Sequence, residues 1–234
     1  MITLDPSPLG VETLDDPTCP APLARATLRD IAVANALFGG RAAAAYGVAQ
    51  LLKPVAAGSR LTLLDVGSGS GDIARAVVRR AARHGVRVTA VALDNSRTAA
   101  AMVRGAGIHA VLADARALPI PDGGADVVLA SQFLHHFTRA SAITLVRALD
   151  RIARVGVVLC EPRRTPLAAA GIWTAAHVLG FHAVTRRDGV LSVRRSFTVD
   201  ELGAVLADAG VRGTIRRRPG FRIVTWWRSR RANG

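Results

Sequence analysis

Short apolar runs alternate with amphipathic segments between about residue 61 and residue 161. The run LTLLDV is followed by DIARAVVRRAARHG, whose apolar positions have helical spacing, and the alternation continues through VRVTAVALD, IHAVLAD, VVLAS and VGVVLCE. Strands that are apolar throughout and separated by helices are typical of a parallel sheet covered on both faces. The pattern therefore predicts an α/β fold.

The flanking segments predict the other elements. Two helical patterns precede the first strand, and TVDELGAVLADAG places Thr198 and Glu201 at capping-box positions of a late helix. The runs TIRRR and FRIVTWW are joined by Pro-Gly, which suits an antiparallel hairpin. We expect a mostly parallel sheet with one antiparallel edge strand.

The 234 residues, half of them hydrophobic, suffice for one sizeable core and are too few for two ordinary ones. The acidic, proline-bearing start predicts a poorly ordered or surface-draped arm before a single domain. The expected divisions are an arm over 1–20 and a domain over 21–234, comprising cap helices (21–58), a core (61–161), a lid or substrate segment (165–197), and a C-terminal helix and hairpin (198–234).

The stretch LLDVGSGSGDIA places three glycines, Gly67, Gly69 and Gly71, between the first strand and its helix. Glycines there allow close approach of a ligand, and amide groups at a helix start favour negative or polar oxygens. The spacing here is Gly-x-Gly-x-Gly, whereas dinucleotide-binding loops have Gly-x-Gly-x-x-Gly. The Asp72 carboxylate after the third glycine would also repel a pyrophosphate. No Gly-Lys-Ser/Thr follows, so the phosphate loop of nucleotide hydrolases is excluded as well.

Three acids close three successive strands. Asp65 can accept bonds from a ligand ammonium group, Asp94 can accept two ribose hydroxyls, and Asp114 can reach an adenine amino group. An amino group, a ribose and an adenine without phosphate are the parts of S-adenosylmethionine.

Together these motifs resemble the class I S-adenosylmethionine-dependent methyltransferases, and most closely the small bacterial enzymes that modify quinones, phenols and polyketides. LLDVGSGSGDIA, VALD, LADARALPIPDGGADVV and SQFLHHF carry the likeness, between about Leu61 and Glu161. The resemblance implies a Rossmann-like seven-stranded sheet and S-adenosyl-L-methionine as cofactor. The expected cofactor contacts are Asp65, Gly67, Gly69 and Gly71 at the methionine end, Asp94 and Asn95 at the ribose, Asp114 and Ala115 near the adenine, and Ser131.

The stretch SQFLHHF after the fourth strand would lie beside the sulfonium, which makes His135 and His136 the candidate general bases. In similar enzymes this turn also positions ligands without proton transfer, so both roles stay open. The expected substrate contacts are Glu161, Arg163, Trp173, His177 and Phe181. Their surroundings favour a lipophilic or aromatic small-molecule acceptor, methylated on oxygen or carbon.

The formal charge of +14 raises the question of nucleic acid or an anionic membrane. More than half of this excess follows Asp208, which localises it to the C-terminal hairpin and tail. The apolar segment Leu167–Val184 is read as a covering helix or a membrane-touching lid rather than a span. Two distant cysteines indicate no metal site and suit a reducing cytoplasm, and the N-terminus lacks the features of a signal peptide.

Three other functions compete with small-molecule methylation. A nucleic-acid methyltransferase agrees with the charge, but the Asn/Asp-Pro-Pro-aromatic motif of base-amino methylators and paired catalytic cysteines are both missing from the sequence. A non-catalytic adenosylmethionine-binding partner in a biosynthetic complex is the second. A nicotinamide oxidoreductase is the third, and Asp72 disfavours it.

Overall fold

The computed structural model describes residues 10–16 and 18–229, and a single mixed sheet forms its centre. Seven strands lie in the order β3-β2-β1-β4-β5-β7-β6. They are β1 (Arg60–Val66), β2 (Arg87–Asp94), β3 (His109–Leu112), β4 (Ala125–Ser131), β5 (Ala153–Pro162), β6 (Thr214–Arg218) and β7 (Arg222–Arg228). Strand β7 is antiparallel to both β5 and β6, while β1 to β5 pair in parallel. The predicted Rossmann-like sheet is confirmed, with β7 as the reversed strand and β6 outside it.

Helices cover both faces of the sheet. They are α1 (Ala21–Leu37), α2 (Gly40–Leu52), α3 (Asp72–Ala82), α4 (Arg97–Gly105), α5 (Arg139–Ile152), α6 (Pro166–Val178), α7 (Ala183–Arg195) and α8 (Val199–Ala209). Short 3-10 helices occur at Thr13–Asp15, Ala115–Ala117 and Leu134–His136. Helices α5 and α8 share one apolar core with the sheet, and α2 and α3 share the other.

Local sequence explains the boundaries of these helices. Helix α5 buries Leu145, Val146 and Leu149, whose spacing of one and three residues places them on one face. At the start of α8, the Thr198 side chain and the Glu201 side chain each accept a bond from the other's backbone N–H. The predicted capping box is therefore present, and it satisfies two amides that the helix start leaves unpaired.

The sequence predicts a poorly ordered or surface-draped N-terminal segment. Residues 1–9 of the predicted arm lie outside the described residues, but residues 10–16 pack on the domain. The Thr13 amide donates to the Asp188 carboxylate at 2.7 Å, and Glu12 is only 9% exposed. Residues 10–16 are thus draped on the surface of the domain and held by polar contacts with α7, rather than being poorly ordered.

Part of the C-terminal basic charge is structural. Arg222 is 6% exposed, and its guanidinium donates to the Phe38 carbonyl and the Gln132 side chain. Arg218 lies over the Tyr46 ring at 4.0 Å. These contacts remove two cations from those available to a polyanion. Among the described helices, none alone is long and apolar enough to cross a membrane; α1 and α2 pass together by length and composition, but with a 65° bend between them.

Candidate active site

A cavity of about 410 Å³ opens at the carboxyl ends of β1, β2, β4 and β5. Parallel strands end at the same edge of a sheet, so the loops that follow them meet there. The floor of the cavity is the glycine loop with the tips of β2 and β4. Its cover is the N-terminal segment, α1, α6 and α7. One space thus joins strand-tip polar groups to helices from distant parts of the chain.

The glycine loop needs its glycines for conformation and for space. Gly67, Gly69 and Gly71 have φ of 69°, 53° and 70°, a region in which other residues are strained. A Cβ on Gly67 would lie 2.3 Å from the Phe133 ring, so the loop after β4 packs directly on this backbone. The Gly69 amide donates to Asp94 at 2.8 Å, which ties the loop to the tip of β2.

Asp65, Asp94 and Asp72 surround that loop. Asp65 is 2% exposed, one of its carboxylate oxygens has no hydrogen-bond partner, and burial with the charges of Asp72 and Asp94 raises its pKa well above 3.8. Burial also raises the pKa of Asp94. The Asp72 carboxylate forms an ion pair with the Arg41 guanidinium at 2.9 Å, and this pair links α3 to α2. Ser68 and Ser131 add two more buried hydroxyls without partners.

Asp94, Asn95 and Ser131 line the cavity, as do Asp65, Gly67 and Gly69. Two predicted adenine contacts do not. Asp114 caps a 3-10 helix by accepting from the Arg116 amide at 2.9 Å, and Ala115 is buried in the core. Gly71 acts as the N-cap of α3 and packs near Val103, also away from the lining. The structure therefore gathers most, but not all, of the predicted cofactor residues.

Glu161 holds the loop that follows β4. It is fully buried, and one oxygen accepts from the Phe133 and Leu134 amides at 2.9 Å each. The other oxygen lies 2.6 Å from His135 Nδ1. Gln132, at the start of this loop, has a left-handed φ of 54°. These contacts fix the backbone after β4 and the His135 imidazole. Both Glu161 oxygens are therefore used within the protein, and Glu161 positions the loop rather than contacting a substrate.

His135 and His136 both line the cavity, beside acids from the N-terminal segment. His135 Nε2 lies 3.5 Å from Glu12, and His136 Nδ1 lies 2.8 Å from Asp15. Burial opposes the charge of His135, but Glu161 and Glu12 raise its pKa to about 10. Burial likewise opposes the charge of Glu12, yet His136 and His135 hold its pKa at about 2. An imidazolium cannot accept a proton, so this arrangement does not favour His135 as a general base.

The end of the cavity that α6 and α7 close is mainly apolar. Ala168, Ile172, Phe181 and Val193 line it from α6, α7 and the turn between them. Of the predicted substrate residues only Phe181 is here. Trp173 and His177 stack on each other at the exposed surface, with Trp173 55% exposed. Arg163 packs over Phe221. Helical spacing explains the error, because Ile172 and not Trp173 falls on the inner face of α6.

Sequence reasoning missed several residues of the site. They contribute carboxylates, amides and hydroxyls to the cavity wall from the N-terminal segment, α1, the loop after β4 and α7: Glu12, Asp15, Asn35, Gln132, Thr185, Asp188 and Ser192. Acids in an otherwise arginine-rich chain were the one available signal.

Comparison with known proteins agrees with this geometry. Residues 64–160 match the family model described as Methyltransferase domain. No curated protein is significantly similar in sequence.

Solved structures share the fold. A SAM-dependent methyltransferase from Aquifex aeolicus superposes with a TM-score of 0.55 at 14% identity, over 78% of this chain and 87% of that one. Human N-acetylserotonin methyltransferase in complex with SAM superposes with a TM-score of 0.63 at 12% identity, over 90% of this chain and 56% of that one. The CMeT domain of the citrinin polyketide synthase superposes with a TM-score of 0.56 at 16% identity, over 76% of this chain and 49% of that one. This chain thus spans about half the length of the last two.

Proposed function

We propose that the chain, whose residues 64–160 match a methyltransferase domain, is a class I S-adenosylmethionine-dependent enzyme. It methylates an oxygen or carbon atom of a lipophilic or aromatic small molecule. The observation that carries this proposal is the composition of one cavity. Buried acids and free hydroxyls lie at its strand-tip end, and apolar helices close its other end. Such a combination suits a polar nucleoside cofactor beside an apolar acceptor.

Unpartnered polar atoms support the placement of the cofactor. Asp65, Ser68 and Ser131 each bury an oxygen without a hydrogen-bond partner, and such atoms are costly unless a ligand satisfies them. We assign Asp65 to the ammonium group, Asp94 and Asn95 to the ribose, and the Gly67 and Gly69 backbone to the methionine part. Bound S-adenosylmethionine supplies an electrophilic methyl group on its sulfonium.

The rest of the chain then has to align the acceptor and exclude water, because methyl transfer is an in-line displacement. Phe133 packs on Gly67 and its ring centre lies 6.1 Å from that of His136. This proximity supports a role for the histidine pair beside the assigned methionine end. We assign His135 and His136 to orienting the acceptor's polar atom. A base role stays a prediction for His136.

Two relatives named above agree with a small acceptor. One is a methyltransferase of N-acetylserotonin, and the other is a methylating domain of a polyketide synthase. The first name gives N-acetylserotonin, a small molecule, and the second gives a polyketide synthase; both structures share the fold with this chain. We carry over the class of acceptor and no particular molecule.

The test is transfer of a labelled methyl group to a panel of phenols, quinols and polyketides, with RNA and DNA included as competing acceptors. We expect label in at least one lipophilic compound and none in nucleic acid. Label in nucleic acid alone would support the alternative suggested by the net charge. Cofactor binding without label in any acceptor would favour a non-catalytic binding partner.

Asp94→Ala tests the cofactor assignment separately. Removal of a carboxylate that receives two ribose hydroxyls should weaken S-adenosylmethionine binding by at least 100-fold, at roughly 1.4 kcal/mol for each factor of ten. Asp208→Ala is the matched control, since Asp208 is an exposed acid of α8 that pairs with Arg139 and lies outside the cavity lining. Calorimetry measures both. Equal losses in the two variants would contradict the assignment.

A further inference from the structure

Two adjacent histidines present the same ring nitrogen to one carboxylate. Each Nδ1 already has a carboxylate partner, Glu161 at 2.6 Å for His135 and Asp15 at 2.8 Å for His136. The Nε2 atoms face Glu12 at 3.5 Å and 4.0 Å. The three groups come from the N-terminal segment and from the loop after β4, 123 residues apart in the chain. All their candidate ligand atoms lie within 4.8 Å of one another.

The facing atoms are buried and unsatisfied. Glu12 is 9% exposed and His135 is 4% exposed, yet Glu12 Oε1 and His135 Nε2 have no hydrogen-bond partner. A separation of 3.5 Å is too long for a hydrogen bond between an imidazole and a carboxylate. Burial of two such polar atoms without partners is energetically costly. We therefore expect a small bound species that contacts both Glu12 Oε1 and His135 Nε2.

The spacing and the second partners fit a metal ion. Nitrogen and oxygen ligands about 2.1 Å from one ion lie roughly 3.0–3.5 Å from each other, close to the observed gaps. Histidines that bind metals usually donate their other ring N–H to a carboxylate, and both histidines here have that arrangement. Two imidazoles with one carboxylate favour first-row transition metals over magnesium or calcium, which prefer oxygen ligands.

We propose that Glu12, His135 and His136 bind a divalent first-row transition-metal ion at the cavity wall, where the ion displaces the Nε2 proton of His135 into water. Glu161 and Asp15 orient the two imidazoles. Three protein ligands leave coordination positions open, as in catalytic metal sites. All three residues line the cavity, so an oxygen of an acceptor bound there can reach the ion; this last step rests on the proposed function. The acceptor class then narrows to molecules with an enol, phenol or carbonyl oxygen.

Cobalt(II) titration of the chelator-treated full chain tests the proposal without any acceptor. We expect one ion per chain with micromolar or tighter affinity, and the visible absorption of cobalt bound to nitrogen and oxygen. Glu12→Gln and His136→Ala should each weaken binding at least 100-fold. Asp15→Asn should weaken it 10–100-fold through loss of the orienting bond.

Matched controls lie near the ligands in type and place. Asp16→Asn removes an exposed acid of the same segment, and His109→Ala removes an exposed histidine of β3. Both should bind cobalt like the unchanged chain. Circular dichroism identifies variants that fold. Because His135 is the most buried ligand, Glu12→Gln and His136→Ala carry the decision.

Affinity that is equal in the unchanged chain, Glu12→Gln and His136→Ala would overturn the proposal, as would affinity no tighter than millimolar. In either case the histidines and Glu12 would be an ion-pair network that only fixes the N-terminal segment. Calorimetry with S-adenosylmethionine on the same samples separates this failure from failure of the proposed function, because cofactor binding uses other residues.

Discussion

Asp65 is a carboxylate whose surroundings change when a cation arrives. In the free protein, burial and the charges of Asp72 and Asp94 raise its pKa well above 3.8. An ammonium group beside it favours the ionised form and lowers that pKa again. Binding of the cofactor therefore releases a proton from Asp65 when the pH lies between the lowered pKa of the bound state and the raised pKa of the free state.

Affinity for S-adenosylmethionine should accordingly rise with pH until the pH exceeds the raised pKa of Asp65. Asp65→Asn should weaken binding and remove this part of the pH dependence. Below about pH 7 the ligand's own amino group is protonated both free and bound, so in that range the difference between the two proteins isolates Asp65. Calorimetry at several pH values, in two buffers of different ionisation enthalpy, measures the proton release. The same slope in both proteins would refute the linkage.

Gly67 combines a left-handed backbone with a close neighbour, and a substitution can separate the two. Gly67→Ala should lose about 1–2 kcal/mol for its φ and a further ~1–3 kcal/mol because its Cβ would meet Phe133. Gly107→Ala is the control, since Gly107 has φ of 76° and nothing within 4 Å of its added Cβ. Urea unfolding compares them. Equal losses would mean that the Phe133 ring moves aside freely.

Among the elements, the N-terminal segment is held mainly by polar contacts. Asp188 on α7 accepts from the Thr13 amide at 2.7 Å, and Arg187 donates to the Thr13 hydroxyl at 2.8 Å. Such contacts can break and re-form more readily than a packed core. The segment therefore covers the cavity without belonging to either apolar core.

Asp188→Ala should loosen this segment while leaving the sheet intact. The loss of a charged hydrogen bond, worth about 1.5–3 kcal/mol, should accelerate amide exchange in residues 10–16 by roughly tenfold or more. Asp208→Ala removes an exposed pairing with Arg139 and serves as control. Hydrogen exchange followed by mass spectrometry gives the rates. Unchanged protection of residues 10–16 would show that other contacts hold the segment.

At the scale of the whole molecule, a ligand that binds only the folded state raises the melting temperature. S-adenosylmethionine at 100 times its dissociation constant adds about 2.7 kcal/mol. For a domain of this size that corresponds to roughly 5–10 °C. NAD should give no shift, because Asp72 lies where a pyrophosphate would need space free of negative charge. Thermal unfolding measured with each ligand separately tests this expectation. A rise in melting temperature with NAD alone would restore the oxidoreductase interpretation.

The sequence was sufficient for the sheet because its information is local. Apolar runs, helical spacing and the Thr198 capping box each lie within a few residues, and each is present in the structure. Asp94 could be placed for the same reason, since it ends a strand beside the glycine loop.

Contacts between distant segments could not be read in this way. Glu12 reaches His135 across 123 residues, and nothing in its neighbours indicates that pairing. Asp114 follows a strand as the sequence suggested, but it lies outside the cavity lining and one of its oxygens accepts from the Arg116 amide, so its role at the adenine stays a prediction. The rotation of α6 likewise leaves Trp173 outside, whereas Phe181, in the turn before α7, is buried.

The cavity is divided between two kinds of chain segment. Its strand-tip floor lies within residues 64–160, whereas the N-terminal segment, α1, α6 and α7 lie outside that range. Replacement of the outer segments would leave the glycine loop and the acids beside it untouched. New acceptor preferences could therefore evolve, or be engineered, by exchanging cover segments, while the means of holding the methyl donor is inherited unchanged.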